Sequence, residues 1–196
     1  MGVVEIRGVV RADRPLLVVA LADEGRYLPA ELPVLVTGVG KIRAAVAVTQ
    51  ALSGAVTPRE VVNLGTAGAL VDGFSGTYVI GRVVQHDFDN DAIRAIVGSD
   101  QGGPLDLGGD GPVLATGDQF VSDPALRERL ARDASLCDME GYAVAAAALA
   151  CGVPVRLVKH VSDPADETAL RSWQETLDSC ARALGDWAGE HLSPVS

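Results

Sequence analysis

Six short runs of Val, Leu and Ile recur along the chain, each closed by a turn former, with helix-forming stretches between them. The runs are LLVVAL (16–21), VLVTG (34–38), VVNLG (61–65), YVIGRVV (78–84), VLATG (113–117) and VPVRLVKHVS (153–162). Apolar runs of this length, without polar alternation, read as strands buried on both faces. The stretches KIRAAVAVTQAL (41–52), PALRERLARD (124–133), MEGYAVAAAALAC (139–151) and 169–192 read as helices. Strand alternating with helix predicts an α/β fold, a three-layer α/β/α arrangement around a twisted mixed, mainly parallel sheet.

With 196 residues, the chain is expected to form a single domain over 1–196. Aromatics make up only 4% of it, so Val, Leu and Ala must build the core. The formal net charge of −10, with no local Lys/Arg cluster, argues against nucleic acid and anionic membranes as partners. No apolar run is long enough to span a bilayer. Segment 1–15 carries acid and three arginines and does not read as a secretory leader. Cys137, Cys151 and Cys180 make an odd count without CxxC spacing, which predicts reduced thiols and a cytoplasmic protein. Cys151, after an Ala-rich helix, reads as a small buried hydrophobe.

Several chemistries find no support. His86, His160 and His191 form no HxH or HxxxH pair, so no metal is expected, and no cofactor motif is complete. Gly38–Arg43 lacks the third glycine of a dinucleotide fingerprint and the Ser/Thr of a phosphate loop. Its glycines read as a tight turn that lets helix 41–52 pack close to the sheet. The Gly-rich stretch 98–112 reads as a structureless surface loop, mobile or ordered by a partner subunit.

Ligands of such sheets bind beyond the carboxyl ends of strands. Five clusters fall there: Asp23-Glu24, Asn63–Gly68, Thr116–Val121, Asp138-Met139-Glu140 and Ser162–Asp166. Taken singly, each has a plain structural reading. Acids that open helices often only cap them, and the glycines suit turns. One cleft that could gather all five is what favours function.

In this order, TGVGKIRAAVAVTQAL, VVNLGTAGAL, ATGDQFV, DMEGYAVAAAA and VSDPAD resemble the nucleoside phosphorylase superfamily. Within it they look most like the methylthioadenosine/S-adenosylhomocysteine nucleosidases. The resemblance implies a homodimer that hydrolyses a purine nucleoside to free base and sugar, without cofactor or metal. It makes Asp163, beside Ser162, the acid that protonates the purine. Met139 and Glu140 would lie under the ribose, with Glu140 on its hydroxyls. Phe120 would stack on the base and Val121 read its edge. Glu24 would activate water, and Thr66 and Lys159 would help hold it, next to the Ala67-Gly68 strand-end backbone. Thr66 stands where the family usually has Ser, and Lys159 where the nucleosidases have Arg. Tyr142 follows where small residues are usual and could shape the sugar pocket; His86-Asp87 reads as a surface turn. The segment 88–112 is short for the family.

Elementary chemistry needs the same cast. A purine anion leaves poorly, so an acid must protonate it. The sugar becomes cationic as the bond breaks, and a carboxylate such as Glu140 stabilises it. A phosphorylase would instead need cations where this chain has Asn63–Thr66 and Ala22–Gly25, although Arg26 stands near. A phosphate-dependent enzyme, a hydrolase of another nucleoside such as futalosine, and a silent nucleoside-binding module are the alternatives.

Overall fold

A computed structural model of the protein describes residues 5–192. The first residues of the segment weighed above as a leader lie outside this range. In chain order the elements are β1 (Glu5–Arg7), β2 (Leu16–Val19), β3 (Val34–Val36), α1 (Lys41–Leu52), β4 (Val61–Ala69), β5 (Thr77–Val79), β6 (Arg82–Gln85), α2 (Asn90–Val97), β7 (Leu105–Asp106), β8 (Val113–Thr116), α3 (Pro124–Leu130), β9 (Leu136–Asp138), α4 (Gly141–Ala150), β10 (Val155–Asp163) and α5 (Ala169–Leu192).

The strands join in one sheet, ordered β1-β3-β2-β4-β9-β8-β6-β7, with β10 alongside β4 and β5 alongside β10. The pairs β2/β3, β2/β4, β4/β10, β6/β8 and β8/β9 are parallel, and β1, β5, β7 and the β4/β9 contact supply the antiparallel part. The mixed, mainly parallel sheet anticipated from the apolar runs is therefore present.

Both sheet faces are covered, which is why the strands carry no polar alternation. Leu16 and Val18 of β2 point into one apolar cluster with α1 and α4, and Leu17 and Val19 into another with α5. Alanines make the first layer thin: Ala44 and Ala47 of α1 and Ala143, Ala145, Ala147 and Ala148 of α4 are all buried. Small side chains let these helices approach the sheet and each other closely. A third cluster packs Leu126 and Leu130 of α3 on Ala115, Val121 and Cys137.

The structure departs from the sequence reading in several places. Strand β4 runs to Ala69 because β10 continues beside it and β9 pairs with its end, so Gly65 and Gly68 lie inside a strand. Run 78–84 splits into β5 and β6, which pair with different strands. A Cβ at the break, on Gly81, would stand 2.7 Å from the Gly111 carbonyl oxygen. Region 98–112 is not structureless: it contains β7 and follows α2, and Asn90 Oδ1 accepts the Gln101 and Gly102 N–H groups at 3.0 and 2.9 Å. Tyr142 serves the same loop rather than a sugar pocket, donating its hydroxyl to the Gly103 carbonyl at 2.8 Å. Cys151 is exposed, because it caps the carboxyl end of α4 where the helix reaches solvent.

Candidate active site

One cleft collects the carboxyl-terminal parts of β4 and β10, the turns after β2 and β8, the β9–α4 junction and the start of α5. Glu24, Thr66, Ala67, Gly68, Phe120, Val121, Met139, Glu140, Lys159, Ser162 and Asp163 all line it. The geometry thus brings these residues into one cleft, while Asp23, Thr116, Asp118 and Asp166 of the same clusters do not line it.

Two glycines of β4 make room for it. In the parallel ladder Gly65 lies opposite Lys159 and Gly68 opposite Asp163. A Cβ at Gly65 would come within 3.2 Å of Lys159 Nζ and 3.4 Å of Glu24 Oε1. One at Gly68 would stand 3.0 Å from Asp163 Oδ1 and 3.1 Å from Cys137 Sγ. The glycines are required by the side chains that cross them, a reason sharper than turn formation.

Glu24 is 4% exposed and tightly held. Its Oε1 accepts the Thr66 N–H at 3.0 Å and the Thr66 hydroxyl at 3.2 Å, and its Oε2 accepts the Leu21 N–H at 3.1 Å. Lys159 is 1% exposed and reaches Asp138 Oδ2 at 2.8 Å. Burial alone would lower its proton affinity, but Asp138 and then Glu140 outweigh it and hold the ammonium above the usual lysine range.

Asp138 stands in one of the five clusters, but the sequence reading gave it no role of its own. It accepts the Gly141 N–H at 2.8 Å and the Thr116 hydroxyl, so Asp138, not Glu140, caps α4. Glu140 makes no capping bond. It turns into the cleft instead, where its Oε1 accepts the Gly40 N–H at the start of α1 at 2.7 Å. The structural reading of Glu140 as a helix cap therefore fails, and Gly40 has a part beyond the tight turn. Burial, followed by the nearby Asp138 charge, pushes the Glu140 carboxyl up to about 8.

Asp163 accepts the Ala165 N–H at 2.9 Å on Oδ1 and the Ser162 hydroxyl at 2.7 Å on Oδ2. Ala165, at φ 52°, holds this turn in the left-handed region, which costs roughly 1–2 kcal/mol for a residue with a Cβ. Burial raises the Asp163 carboxyl above its ordinary range, against the two hydrogen bonds that lower it. Phe120, 40% exposed, and Met139 offer apolar surface to a ligand.

Trp173 was also missed. It stands near the start of α5, lines the cleft, and donates its indole N–H to Thr66 Oγ at 3.1 Å. A lone aromatic in the first turns of a charged helix was the available signal. His86-Asp87 is more than a surface turn: Asp87 binds the Lys41 ammonium and accepts the Asp118 N–H at 2.8 Å, while the Lys41 N–H goes to Asp118 Oδ1 at 2.8 Å. That network fixes the mouth of the cleft at α1. Arg26 is spent elsewhere, on Asp23 and Asp178 at 2.6 and 3.2 Å, and does not line the cleft. No group of metal-ligating side chains occurs among the described residues.

Comparison with known proteins agrees with this geometry. The chain is 28% identical over 186 residues to a 5'-methylthioadenosine/S-adenosylhomocysteine nucleosidase of Marinomonas sp. (strain MWYL1), covering 80% of this chain and 78% of that one. It is 29% identical over 181 residues to an aminodeoxyfutalosine nucleosidase of Helicobacter pylori, covering 81% and 78%. A solved 5'-methylthioadenosine/S-adenosylhomocysteine nucleosidase from Helicobacter pylori, bound to butyl-thio-DADMe-Immucillin-A, shares the fold with a TM-score of 0.79 at 22% identity, over 91% of this chain and 97% of that one. The model of the phosphorylase superfamily matches residues 25–107 and 111–189, and the chain belongs to that superfamily.

Proposed function

We propose that the protein is a purine nucleosidase, which hydrolyses the N-glycosidic bond of 5'-methylthioadenosine, S-adenosylhomocysteine or a related nucleoside. The observation that carries this reading is the separation of three carboxyls in one cleft by environment. Asp163 is biased by burial to hold a proton, as a general acid for the leaving base must. Glu24 accepts three hydrogen bonds of the roughly four its carboxylate can take, which leaves a lone pair for the proton of an attacking water. Glu140 lies between them in function, beneath the sugar. As a neutral acid it can donate to one ribose hydroxyl and accept from another. Its carboxyl oxygens, beneath the sugar, also stabilise the positive charge that grows there.

Water as nucleophile is supported by the charges. Lys159 is the one cation lining the cleft among the described residues, and Asp138 already neutralises it. A phosphate dianion would therefore meet the Glu24 carboxylate with no unpaired cation beside it. A charged ligand denied its buried partner forfeits about 2–5 kcal/mol, enough to leave phosphate unbound at working concentrations.

The same reading includes a homodimer in the cytoplasm. Ile42 and Val46 stand exposed one turn apart on α1, beside Val39 at the cleft mouth. Helix α2 buries none of its residues, and Ile96 and Val97 are uncovered. Such apolar faces suit a second subunit. Light scattering should return twice the chain mass; a fully active monomer at nanomolar concentration would contradict this. Cys137 and Cys180 are buried free thiols, in keeping with a reducing compartment.

The experiment for the whole reading is a panel of nucleosides, including aminodeoxyfutalosine, assayed for free base by chromatography with and without phosphate. Release of a purine from at least one 5'-substituted adenosine without phosphate is expected. Tight binding with no release over hours would make the chain a binding module instead.

A further inference from the structure

Glu24 is oriented by Thr66, and Thr66 in turn is oriented by a residue that the proposed chemistry does not use. A threonine hydroxyl carries one proton and can accept as well as donate. Left alone, Thr66 Oγ could turn its proton toward Glu24 or toward any water in the cleft. The Trp173 indole N–H, which can only donate, occupies an acceptor position on Thr66 Oγ at 3.1 Å. The hydroxyl proton is then left pointing at Glu24 Oε1, 3.2 Å away.

Trp173 is itself anchored. Helix α5 packs Leu184, Ala188 and Leu192 against Leu64 of β4 and Val158 of β10, and at its start the Thr176 hydroxyl shares its proton between the Ser172 carbonyl at 2.8 Å and the Ser162 carbonyl at the end of β10 at 3.0 Å. The indole therefore reaches Thr66 from a fixed helix, and the order of donors runs one way: indole to hydroxyl to carboxylate.

We propose that Trp173 is a positioning residue for Glu24, acting through the Thr66 hydroxyl; this rests on the reading of Glu24 as the water-activating base. With Oε1 held by two donors from Thr66 and Oε2 by Leu21, the carboxylate keeps its free lone pair turned into the cleft. Without the indole donor the Thr66 hydroxyl is free to rotate, and the base is held by backbone alone. A side chain whose part was only to wall the cleft would affect substrate binding; one that orders the base affects the chemical step.

The test measures base release by the wild type, Trp173→Phe, Thr66→Val and the double variant. Trp173→Phe keeps an aromatic ring and removes the donor. Its kcat should fall about 2- to 10-fold, the range a single neutral hydrogen bond supplies, with KM within about twofold of wild type. Thr66→Val should fall at least as far. The double variant should lie within about twofold of Thr66→Val, because both changes cut one chain. Trp173→Met, a second replacement without a donor, gives the same comparison if the Phe variant is unstable. Losses that multiply in the double variant, an unchanged kcat, or a loss confined to KM would each overturn the proposal. A wild type that releases no base from any nucleoside would remove the functional reading and this inference together; an active wild type matched in kcat by Trp173→Phe would remove the inference alone.

Discussion

In the proposed reaction Asp163 needs a proton to give away, and its surroundings decide how long it keeps one. Desolvation favours the neutral acid, while Ser162 and Ala165 stabilise the anion left after transfer. The Ser162 hydroxyl also lies 3.4 Å from the Ala67 carbonyl, so its single proton has a second acceptor when Asp163 is neutral. Asp163→Asn keeps the shape and loses the proton. Its kcat should drop by about 10²–10⁴-fold, with a smaller change in KM. A variant within a few-fold of wild type would mean that another group protonates the base. In the wild type, because the Asp163 carboxyl is raised, activity tied to it should persist to higher pH than an ordinary aspartic acid would allow and decline as pH rises through the raised value. The Asn variant should lack this decline.

Strands β4 and β10 set the distances between these residues. Their parallel register puts Gly65 beside Lys159 and Gly68 beside Asp163, with an irregularity between Val161 and Asp163 that readjusts the end of β10. Gly68→Ala would place a methyl 3.0 Å from Asp163 Oδ1 and 3.1 Å from the Ala165 Cβ. Asp163 and its left-handed turn must shift, so kcat should fall at least tenfold, the order of loss expected when a reacting group is misplaced by a fraction of an ångström. Circular dichroism should still report a folded chain. Unchanged kcat would show that the turn has slack. Much of this layout was legible in the chain: buried runs with no polar alternation demanded a sheet covered on both faces, and the five clusters fell where one cleft could gather them. What stayed hidden depends on contacts between distant segments. The extension of β4 to Ala69 is imposed by β10 and β9, not by its own residues. Strand β9 is three residues long, too short for periodicity to mark. The Lys159–Asp138 pair and the Trp173–Thr66 bond join residues 21 and 107 positions apart, which no local pattern encodes.

For the molecule as a whole, the cleft is a store of buried charge, and stability must reflect it. Glu140 has its carboxyl pushed up to about 8 from an ordinary 4.5. Below about 4.5 the folded and unfolded chains both hold this proton, and above that the unfolded chain loses it first. The stability Glu140 contributes is therefore full at low pH and is lost as pH rises toward about 8. Glu140→Gln cannot titrate, so its melting temperature should vary less with pH across that window than the wild type's. Parallel curves for the two proteins would show that Glu140 is already ionised in the fold. The same variant should lose activity on ribosides more than on 2'-deoxy substrates, which have one hydroxyl fewer to hold.

The central claim is that water, activated by Glu24, attacks a sugar whose base leaves with a proton from Asp163. It is tested most directly by running the reaction in phosphate-free buffer made with ¹⁸O-labelled water and analysing the sugar by mass spectrometry at early times. The account predicts a free sugar carrying one ¹⁸O at the anomeric carbon, with no change in rate when phosphate is added. A sugar 1-phosphate, formed only when phosphate is present, would contradict it.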